Sequence, residues 1–364
     1  MPERIYLDHA ATTPIRPEAA AAVAEGMKRW ANPSSPHAEG RAARAALEDA
    51  RARIKAALGW DGELIFTSGA SEAIAIALGR AKVARRLVSA VEHDAVFRAA
   101  PDATVVPMAE DWQIDRDRLA TELGDGGSAI LALQHLNSET GTYQPVDAVT
   151  AQVRAAGGIL LCDCAQSAGK LSLPDADMIV VSAHKLGGPP GIGALLVREF
   201  GQLEAGGGQE RGYRGGTENL PGALGFAAAL EAREPEHLEG VAAWVSDIAM
   251  AAADLSDMIY VDRGANEVRR GIRCNWIHSY AMPHLKADAQ LILLDREGFA
   301  VSAGSACSSG SLKASRTLAA FGVPSEVAER TIRVSFGWNT TEQQIWAFGE
   351  AWCRVFDEAM VQAR

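Results

Sequence analysis

A lysine at the end of an apolar run is the first residue in this sequence whose surroundings suggest chemistry. The segment 180–197, VVSAHKLGGPPGIGALLV, places Lys185 in a glycine-rich turn between two apolar runs. A lysine at the end of a buried strand is suited to forming a Schiff base, and burial lowers the pKa of an amine because it disfavours the charged form. A surface-turn lysine is the plainer interpretation, and Lys185 alone does not exclude it.

An acidic residue holds a similar position earlier in the chain. The apolar run 158–163, GILLCD, ends in Asp163, and Gln166 follows three residues later. In open α/β sheets, ligands bind at the carboxyl ends of the strands. A carboxylate there can pair with a protonated pyridine nitrogen and preserve the ring as an electron sink, while Gln166 could donate to a ring oxygen. A helix N-cap is the alternative role for Asp163.

A third candidate site lies where a strand-like run changes into a helical pattern. The segment 66–79, FTSGASEAIAIALG, places Gly69, Ala70 and Ser71 at the start of an alanine-rich helix. Free backbone N–H groups and the positive end of the helix dipole make such a start an anion site. Ser71 could equally be a plain N-cap, and the two roles are compatible.

Two further side chains lie near the end of the sequence. Cys307 is surrounded by glycine, serine and alanine within 300–318, a composition that predicts a mobile loop. An exposed cysteine there can act as a nucleophile through its thiolate, although an inert loop residue is the simpler alternative. Arg333, in the apolar run 331–336, has a guanidinium that matches a carboxylate bidentately. A structural ion pair is the other explanation for it.

The apolar runs that precede these residues belong to an alternating series of short strands and helices. The predicted strands lie at 63–67, 86–90, 104–108, 129–133, 158–163, 178–183 and 193–198. Helical patterns occur at 17–29, 38–58, 94–100, 115–123 and 146–156, and a further helix begins at Ser71. This alternation predicts an α/β fold with a mostly parallel, seven-stranded sheet that helices cover on both faces.

The pattern changes after an alanine-rich helical stretch at 219–253. Strands are predicted at 258–262, 273–277, 299–303 and 331–336, with helices near 284–296 and 341–360. We therefore expect two domains. A large domain would span 15–245, and a smaller α+β domain carrying Cys307 would combine 1–14 with 246–364.

The composition restricts the partners and the compartment. A net charge of −11 argues against a general nucleic-acid or membrane-surface binder. No apolar run approaches the ~20 residues of a membrane span, and the opening residues lack the apolar core of a signal peptide. Five irregularly spaced cysteines predict no disulfide framework and no metal site. We expect a cytoplasmic protein that binds neither nucleic acid nor membrane.

The order of the motifs resembles the NifS-like cysteine desulfurases, enzymes of fold type I that use pyridoxal 5'-phosphate (PLP). The resemblance covers nearly the full chain and rests on motifs at both ends and between them. They are YLDHAATTP (6–14), NPSSPH (32–37), SGAS (68–71), VEHDAV (91–96), LNSETG (136–141), DCAQ (163–166), SAHK (182–185), RGGTEN (214–219) and SAGSACSSG (302–310). The last of these is similar to the longer catalytic loop found in one group of the family.

The resemblance implies a role for each candidate residue. Lys185 would carry PLP, His93 would stack on its ring and transfer protons, Asp163 would hold the ring nitrogen and Gln166 the ring hydroxyl. The phosphate would be held by Ala70, Ser71, Ser182, His184 and, across a homodimer interface, Thr217. Asn137 would contact cofactor and substrate. Ser138 stands where the family usually has a second asparagine, which places the contact to the ring oxygen in question.

The resemblance also implies a reaction. L-cysteine would bind with its carboxylate on Arg333 and leave as L-alanine, and Cys307 would take the sulfur as a persulfide. An acceptor protein, either an iron–sulfur scaffold or a thiolation partner, would receive the sulfur. Two alternatives stay open. Another fold type I enzyme, such as an aminotransferase or a selenocysteine lyase, would not need Cys307, and a non-catalytic PLP-binding scaffold would have lost part of this set.

Overall fold

Parallel strands with a common carboxyl edge form the centre of the molecule. The computed structural model describes residues 4–124, 127–234, 273–303 and 315–362. The strands of the large sheet are β2 (Glu63–Thr67), β3 (Arg85–Ser89), β4 (Thr104–Val106), β5 (Ala129–Gln134), β6 (Ile159–Asp163), β7 (Met178–Ser182) and β8 (Gly193–Val197). Their order is β2-β8-β7-β6-β5-β3-β4, and β8 alone runs in the direction opposite to the other six strands. The predicted seven-stranded, mostly parallel sheet is confirmed.

Helices cover both faces of this sheet, which is why its central strands are apolar on both sides. They are α1 (Pro17–Met27), α2 (Ala38–Leu58), α3 (Ala70–Arg80), α4 (Asp94–Ala99), α5 (Arg116–Gly124), α6 (Val146–Ala155) and α7 (Leu220–Glu231). Along β5, Leu131 and Leu133 join one hydrophobic cluster, while Ile130 and Ala132 join another on the opposite face. The alternation follows the two-residue period of a strand.

A second group of elements packs around its own apolar cluster. The antiparallel sheet β11-β12-β9 contains β9 (Ile277–Ala281), β11 (Ser302–Ala303) and β12 (Thr331–Ser335), and β1 (Ile5–Tyr6) pairs in parallel with β10 (Phe299–Ala300). The helices are α8 (Ala287–Arg296), α9 (Arg316–Ala320), α10 (Ser325–Ala328) and α11 (Glu342–Gln362). Leu7 from the N-terminal segment packs in the same cluster as Ile332, Phe348 and Trp352.

The strand boundaries in this second group differ from the sequence prediction. The predicted strand 299–303 is two short strands, because the chain pairs with β1 before Val301 and with β12 after it. The predicted strand 273–277 is displaced, since β9 begins at Ile277. The predicted strand 258–262 and the domain boundary at 245 lie outside the described residues, and the division into two domains stays a prediction. Among the described helices, none combines the length and apolar character that a membrane crossing requires.

A buried ion pair anchors the loop 209–219 to the large sheet. Arg51 on α2 donates from Nη1 and Nη2 to the two carboxylate oxygens of Glu210, over 2.7 and 3.0 Å. Glu210 also accepts from the backbone N–H of Phe66 on β2 over 2.8 Å. Both charged side chains are almost fully buried. The loop that carries Thr217 is therefore fixed by charge-assisted hydrogen bonds as well as by its own turns.

Removal of one partner from this pair should be strongly destabilising. We expect Arg51→Ala to lower the free energy of unfolding by about 3–5 kcal/mol, because the Glu210 carboxylate is then buried without a counter-charge. Denaturant-induced unfolding measures this difference. Arg53→Ala is the matched control, since Arg53 lies on the same helix and pairs with Glu231 at the surface, where an ion pair contributes at most ~1 kcal/mol. Equal losses in the two variants would contradict the assignment.

Candidate active site

A cavity of about 740 Å³ opens at the carboxyl edge of the large sheet. Side chains from the ends of several strands line it, together with residues of the N-terminal segment and of β12. The predicted site residues among them are Ala70, Ser71, His93, Ser138, Asp163, Gln166, Ser182, His184, Lys185 and Arg333. The fold therefore brings together residues that are far apart in the sequence, as expected for the strand ends of an α/β sheet.

Lys185 follows β7 in a short 3₁₀ turn, Ala183–Lys185, and its side chain enters the cavity. Nζ donates to the backbone carbonyl oxygens of Ala10 and Ala11, over 2.5 and 2.8 Å. The interpretation as a surface-turn lysine does not hold for this geometry. Because both of these acceptors are neutral, the amine can leave them to react with a carbonyl ligand without breaking an ion pair to either.

The start of α3 has the properties of an anion site. Its N-cap residue is Gly69, which has a φ of 152° and provides no side-chain cap, so Ser71 is not the N-cap that the sequence also allowed. The first backbone N–H groups of the helix belong to Ala70 and Ser71, and both residues line the cavity. Uncapped N–H groups and the helix dipole favour a phosphate here.

One residue at the end of β7 and one just after the strand complete the polar surface near α3. Ser182 ends the strand, and its hydroxyl lies 4.0 Å from the position that a Cβ on Gly69 would take. His184 shares a hydrogen bond of 3.1 Å between its Nδ1 and the hydroxyl of Thr12. Burial, with a smaller contribution from Lys185, lowers the pKa of His184 to about 4. The imidazole is therefore neutral near pH 7 and retains one N–H donor.

Asp163 lies at the carboxyl end of β6, close to the charged groups of the cavity. Its Oδ1 accepts a hydrogen bond of 2.9 Å from the backbone N–H of Ala165. Burial raises the pKa of Asp163, and His93 and Lys185 act in the opposite direction. A nearby cation stabilises a carboxylate in such a position, and a protonated ring nitrogen is a cation of this kind.

Gln166 and His93 are both held by the backbone. Gln166 donates from Nε2 to the carbonyl oxygen of Ala10 over 2.9 Å, and its buried Oε1 has no hydrogen-bond partner among the described residues. His93 caps α4, since its Nδ1 accepts from the N–H of Ala95 over 3.1 Å. In the neutral ring the proton is then on Nε2. Both side chains line the cavity, where a ligand can contact them.

Asn137 and Ser138 are adjacent in the sequence but differ in position: Asn137 is bonded within its own turn, and Ser138 lines the cavity. Oδ1 of Asn137 accepts from the backbone N–H groups of Glu139 and Thr140, both over 2.9 Å, and from the Thr140 hydroxyl. These bonds hold the Asn137 side chain within its own turn, whereas Ser138 lines the cavity. The backbone of Ser138 contributes as well, because its carbonyl oxygen accepts from Arg333 over 3.1 Å.

Arg333 reaches the cavity from β12, and its side chain is only 4% exposed. Nη2 donates to Oδ1 of Asp8 over 2.8 Å, so the structural ion pair that the sequence allowed is present. The two roles coexist, since Arg333 also lines the cavity. Its Nε is buried without a hydrogen-bond partner in the part of the chain that the structure describes. The guanidinium is thus oriented on one side and retains donor capacity for an anion.

Besides Asn137, one described residue of the predicted set does not line the cavity. Thr217 is exposed on the loop anchored by Arg51. Cys307 lies outside the described residues, although the chain on both sides of it can be located. Ser302 is the register partner of Arg333, and Ser315 donates from its hydroxyl to Oε2 of Glu139 over 2.6 Å. Both flanks of the Cys307 segment therefore start beside the cavity.

Sequence reasoning missed five charged residues of this cavity. They are Glu72 on α3, Glu92 after β3, Asp94 at the start of α4, Glu139 after β5 and Arg316 at the start of α9. Glu92 carried a usable signal, because it ends an apolar run just as Asp163 does. Arg316 had none, since its place depends on packing between distant segments. It donates to the backbone carbonyl of Glu92 over 3.0 Å and to Asp94 over 2.8 Å.

The groups in the cavity fit PLP. An uncapped helix start with a serine beside it suits the phosphate, a buried carboxylate suits a protonated pyridine nitrogen, and a lysine amine lies in the same cavity. The buried Oε1 of Gln166 and Nε of Arg333 provide further polar atoms for a ligand. Fold and cavity together define a pyridoxal-phosphate enzyme of fold type I.

Comparison with known proteins narrows this class. A family model described as Aminotransferase class-V matches residues 5–348. The chain is 32% identical over 374 residues to the cysteine desulfurase IscS of Dictyoglomus turgidum, covering 95% of this chain and 92% of that protein. Two solved structures are similar. A NifS-like protein from Rickettsia africae has a TM-score of 0.85 at 26% identity, covering 98% and 100% of the two chains. SspA in complex with cysteine has a TM-score of 0.75 at 26% identity, covering 91% and 98%.

The chain belongs to the class-V aminotransferase family and, within it, to the cysteine desulfurases. It is a PLP-dependent enzyme. The fold expected from the sequence resemblance is confirmed by the NifS-like structure, which spans almost the whole chain.

Substitution of the glycine before α3 should weaken cofactor binding. Gly69→Ala places a Cβ at a φ of 152°, a conformation that costs about 1–3 kcal/mol for residues other than glycine. The helix start then shifts, and we expect PLP affinity to fall by about tenfold. An absorbance titration with PLP measures the change. Gly79→Ala on the same helix is the control, since no heavy atom lies within 4 Å of its added Cβ. An unchanged affinity for Gly69→Ala would remove this helix start from the phosphate site.

Proposed function

We propose that this enzyme converts L-cysteine into L-alanine and transfers the sulfur to Cys307 as a persulfide. The carbon–sulfur bond of the substrate breaks and a sulfur–sulfur bond to Cys307 forms. The sulfur is oxidised and the substrate Cβ is reduced to a methyl group, so no external oxidant or reductant enters. The convergence of Lys185, Asp163 and Arg333 on one cavity carries the proposal. The cysteine that the similar SspA structure holds agrees with the choice of substrate.

Lys185 is the proposed attachment point of the cofactor and the base at the substrate Cα. When bound, PLP supplies an electron sink for the charge that develops at this carbon. The carbonyl oxygens of Ala10 and Ala11 can accept hydrogen bonds from the Lys185 amine when it is not bound to the cofactor. From there it can remove a proton and return it, which is general acid–base catalysis by a positioned amine.

Arg333 is the proposed clamp for the substrate carboxylate. Asp8 and the Ser138 carbonyl orient the guanidinium from one side, so that a carboxylate can approach its remaining donors. A guanidinium fixed in this way meets a carboxylate bidentately and loses little side-chain entropy on binding. The result is a defined orientation of the substrate Cα relative to Lys185.

The other predicted residues would hold the cofactor. Asp163 would keep the ring nitrogen protonated, and His93, with its proton on Nε2, would lie over the ring and move the thiol proton. Gln166 would hold the ring oxygen together with Ser138 or Asn137, of which Ser138 lines the cavity. The phosphate would lie among the backbone and side-chain groups of Ala70, Ser71, Ser182 and His184.

The proposed assembly is a homodimer with two sites. Thr217 is exposed and does not line the cavity of its own chain, so contact with a phosphate requires the Thr217 of a second copy. Arg214, in the same loop, donates to Glu72 on α3 over 3.0 Å, which ties this loop to the phosphate end of the cavity. The persulfide would then pass to an acceptor protein in the cytoplasm, either an iron–sulfur scaffold or a thiolation partner.

The alternatives differ in what they require of the chain. An aminotransferase or selenocysteine lyase would use Lys185 and Asp163 without Cys307. A non-catalytic scaffold would have no reason to retain Lys185 and His93 in one cavity. The similarity to cysteine desulfurases over 95% of the chain favours the main proposal over both.

Removal of Cys307 should abolish sulfur transfer and leave the cofactor in place. With L-cysteine and a reductant, we expect the wild type to form alanine and sulfide in equal amounts, while Cys307→Ala forms neither at a comparable rate. The visible absorbance of the lysine-bound cofactor should persist in the variant, because Lys185 is intact. Cys353→Ala, which changes a half-buried cysteine on α11, is the control. Alanine formation that survives in Cys307→Ala would favour the alternative enzymes.

Substitution of the proposed clamp should act on substrate binding more than on the cofactor. Arg333→Lys keeps the charge and loses the planar pair of donors, so we expect KM for L-cysteine to rise about 10–100-fold with PLP still bound. Initial-rate kinetics measure the effect. Arg330→Lys, at a half-buried position just before β12 that does not line the cavity, should leave KM unchanged. An unaltered KM in Arg333→Lys would assign Arg333 to the ion pair with Asp8 alone.

A further inference from the structure

A second buried carboxyl group, that of Glu92, lies beside the cavity and has no role in the function proposed above. Glu92 is 1% exposed and occupies the connection between β3 and α4. Its Oε1 accepts from the hydroxyl of Ser89 over 2.5 Å and from the backbone N–H of Gln134 over 2.8 Å. A buried acid with this many contacts to strand ends is not a surface charge that happens to line a cavity.

These contacts join the strands that carry the proposed site residues. Ser89 ends β3 and Gln134 ends β5, so the carboxyl group ties two strand ends together. Gln134 in turn is the register partner of Asp163 on β6, and its Nε2 donates to the carbonyl oxygen of Val91 over 2.7 Å. A substitution at Glu92 is therefore expected to affect the position of Asp163 through the pairing of β5 with β6. It is expected to affect the position of His93 because His93 is the next residue in the chain.

The donors that face Glu92 are neutral. Ser89 offers a hydroxyl and Gln134 a peptide N–H, while Oε2 is buried without a hydrogen-bond partner among the described residues. The guanidinium of Arg316 bonds the backbone carbonyl of Glu92 and the carboxylate of Asp94 instead. The pKa of Glu92 is raised to about 7. Burial is the main cause and the Asp163 carboxyl adds to it, while the two hydrogen bonds and His93 oppose the rise.

Asp163 has a different set of neighbours. The pKa of its carboxyl is also raised by burial, but His93 and Lys185 both stabilise its charged form. Two carboxyl groups in one buried region do not both ionise readily, and the proton goes to the one with fewer cationic neighbours. That group is Glu92.

We propose that Glu92 is a positioning residue that works as a neutral carboxylic acid. It fixes the strand ends that lead to His93 and Asp163, and it leaves the negative charge of the two carboxyl groups on Asp163. The inference rests on the proposed role of Asp163 as partner of the ring nitrogen, because a carboxylate in that place keeps a cofactor nitrogen protonated. An ionised Glu92 would place a second, uncompensated charge in the same buried region.

The proposal has a consequence for stability as a function of pH. A carboxyl group whose pKa is raised from 4.5 to about 7 on folding binds more protons in the folded state than in the unfolded state over that interval. Its contribution to stability is therefore complete below pH 4.5 and is lost as the pH rises through about 7. Glu92→Gln keeps the shape and the acceptor oxygen but never ionises, so it should lack this contribution to the pH dependence.

The test compares three variants of the PLP-loaded, full-length protein without substrate. Glu92→Gln is the neutral mimic, Glu92→Leu removes the acceptor, and Glu122→Gln is the control at a mostly buried glutamate of α5. The melting temperature is followed over pH 4.5 to about 7 and beyond, and PLP affinity by absorbance titration. We expect Glu92→Gln to bind PLP as the wild type does and to melt with a flatter pH dependence. Glu92→Leu should lose about tenfold or more in PLP affinity, because two buried donors lose their acceptor.

Two results would overturn the proposal. If Glu92→Gln loses PLP as severely as Glu92→Leu, the working form of Glu92 is the carboxylate rather than the acid. If Glu92→Leu retains full PLP affinity, Glu92 does not position the site. If Glu92→Leu fails to fold, the comparison of Glu92→Gln with the wild type still shows whether the neutral form of Glu92 supports PLP binding. Since no measurement uses L-cysteine, failure of the desulfurase reaction itself would be detected separately, by the comparison of Cys307→Ala with the wild type.

Discussion

The common carboxyl edge of β3, β5, β6 and β7 is the constraint on which the rest of the structure depends. Parallel strands can share such an edge only when each is followed by a return across a face of the sheet, and α4, α6 and their neighbours provide those returns. The edge brings together backbone groups and side chains from segments that are distant in the sequence. The functional groups at this edge are consequently held at the ends of buried strands, as Asp163 and Ser182 are, or in the segments that follow those strands, as Lys185 is.

The cavity at this edge contains several ionisable side chains in a buried region, where burial disfavours their charged forms. Hydrogen bonds and ion pairs to neighbouring groups offset this cost. Lys185 rests on two carbonyl oxygens, and Arg333 is paired with Asp8. His184 is neutral, since burial keeps its pKa low. Asp163 is stabilised as a carboxylate by Lys185, whereas Glu92 is not. The neighbours of each group therefore determine whether that group is charged or neutral. A charged cofactor and a zwitterionic substrate need such a defined arrangement of charges in the cavity.

The N-terminal segment links the two groups of elements. Its strand β1 pairs with β10, and Leu7 packs among Ile332, Phe348 and Trp352. A few residues later, the carbonyl oxygens of Ala10 and Ala11 accept from Lys185 at the end of β7. The same short stretch thus belongs to the core around β12 and to the wall of the cavity. A displacement of β12 would therefore also displace the carbonyl oxygens that accept hydrogen bonds from the Lys185 amine.

The alternation of strands and helices is readable in the sequence alone, because apolar runs of strand length between amphipathic segments can be buried in only a small set of layered arrangements. The residues able to carry out chemistry could also be identified from the sequence, because Asp163 and Lys185 lie at or just after the ends of apolar runs. Which neighbours those residues have depends on the tertiary fold. The division of Asn137 from Ser138, the break at Val301 and the placing of Glu92 depend on hydrogen bonds that form only in the folded chain. Local patterns carry no information about such partners, since burial and pairing arise only when the chain has folded.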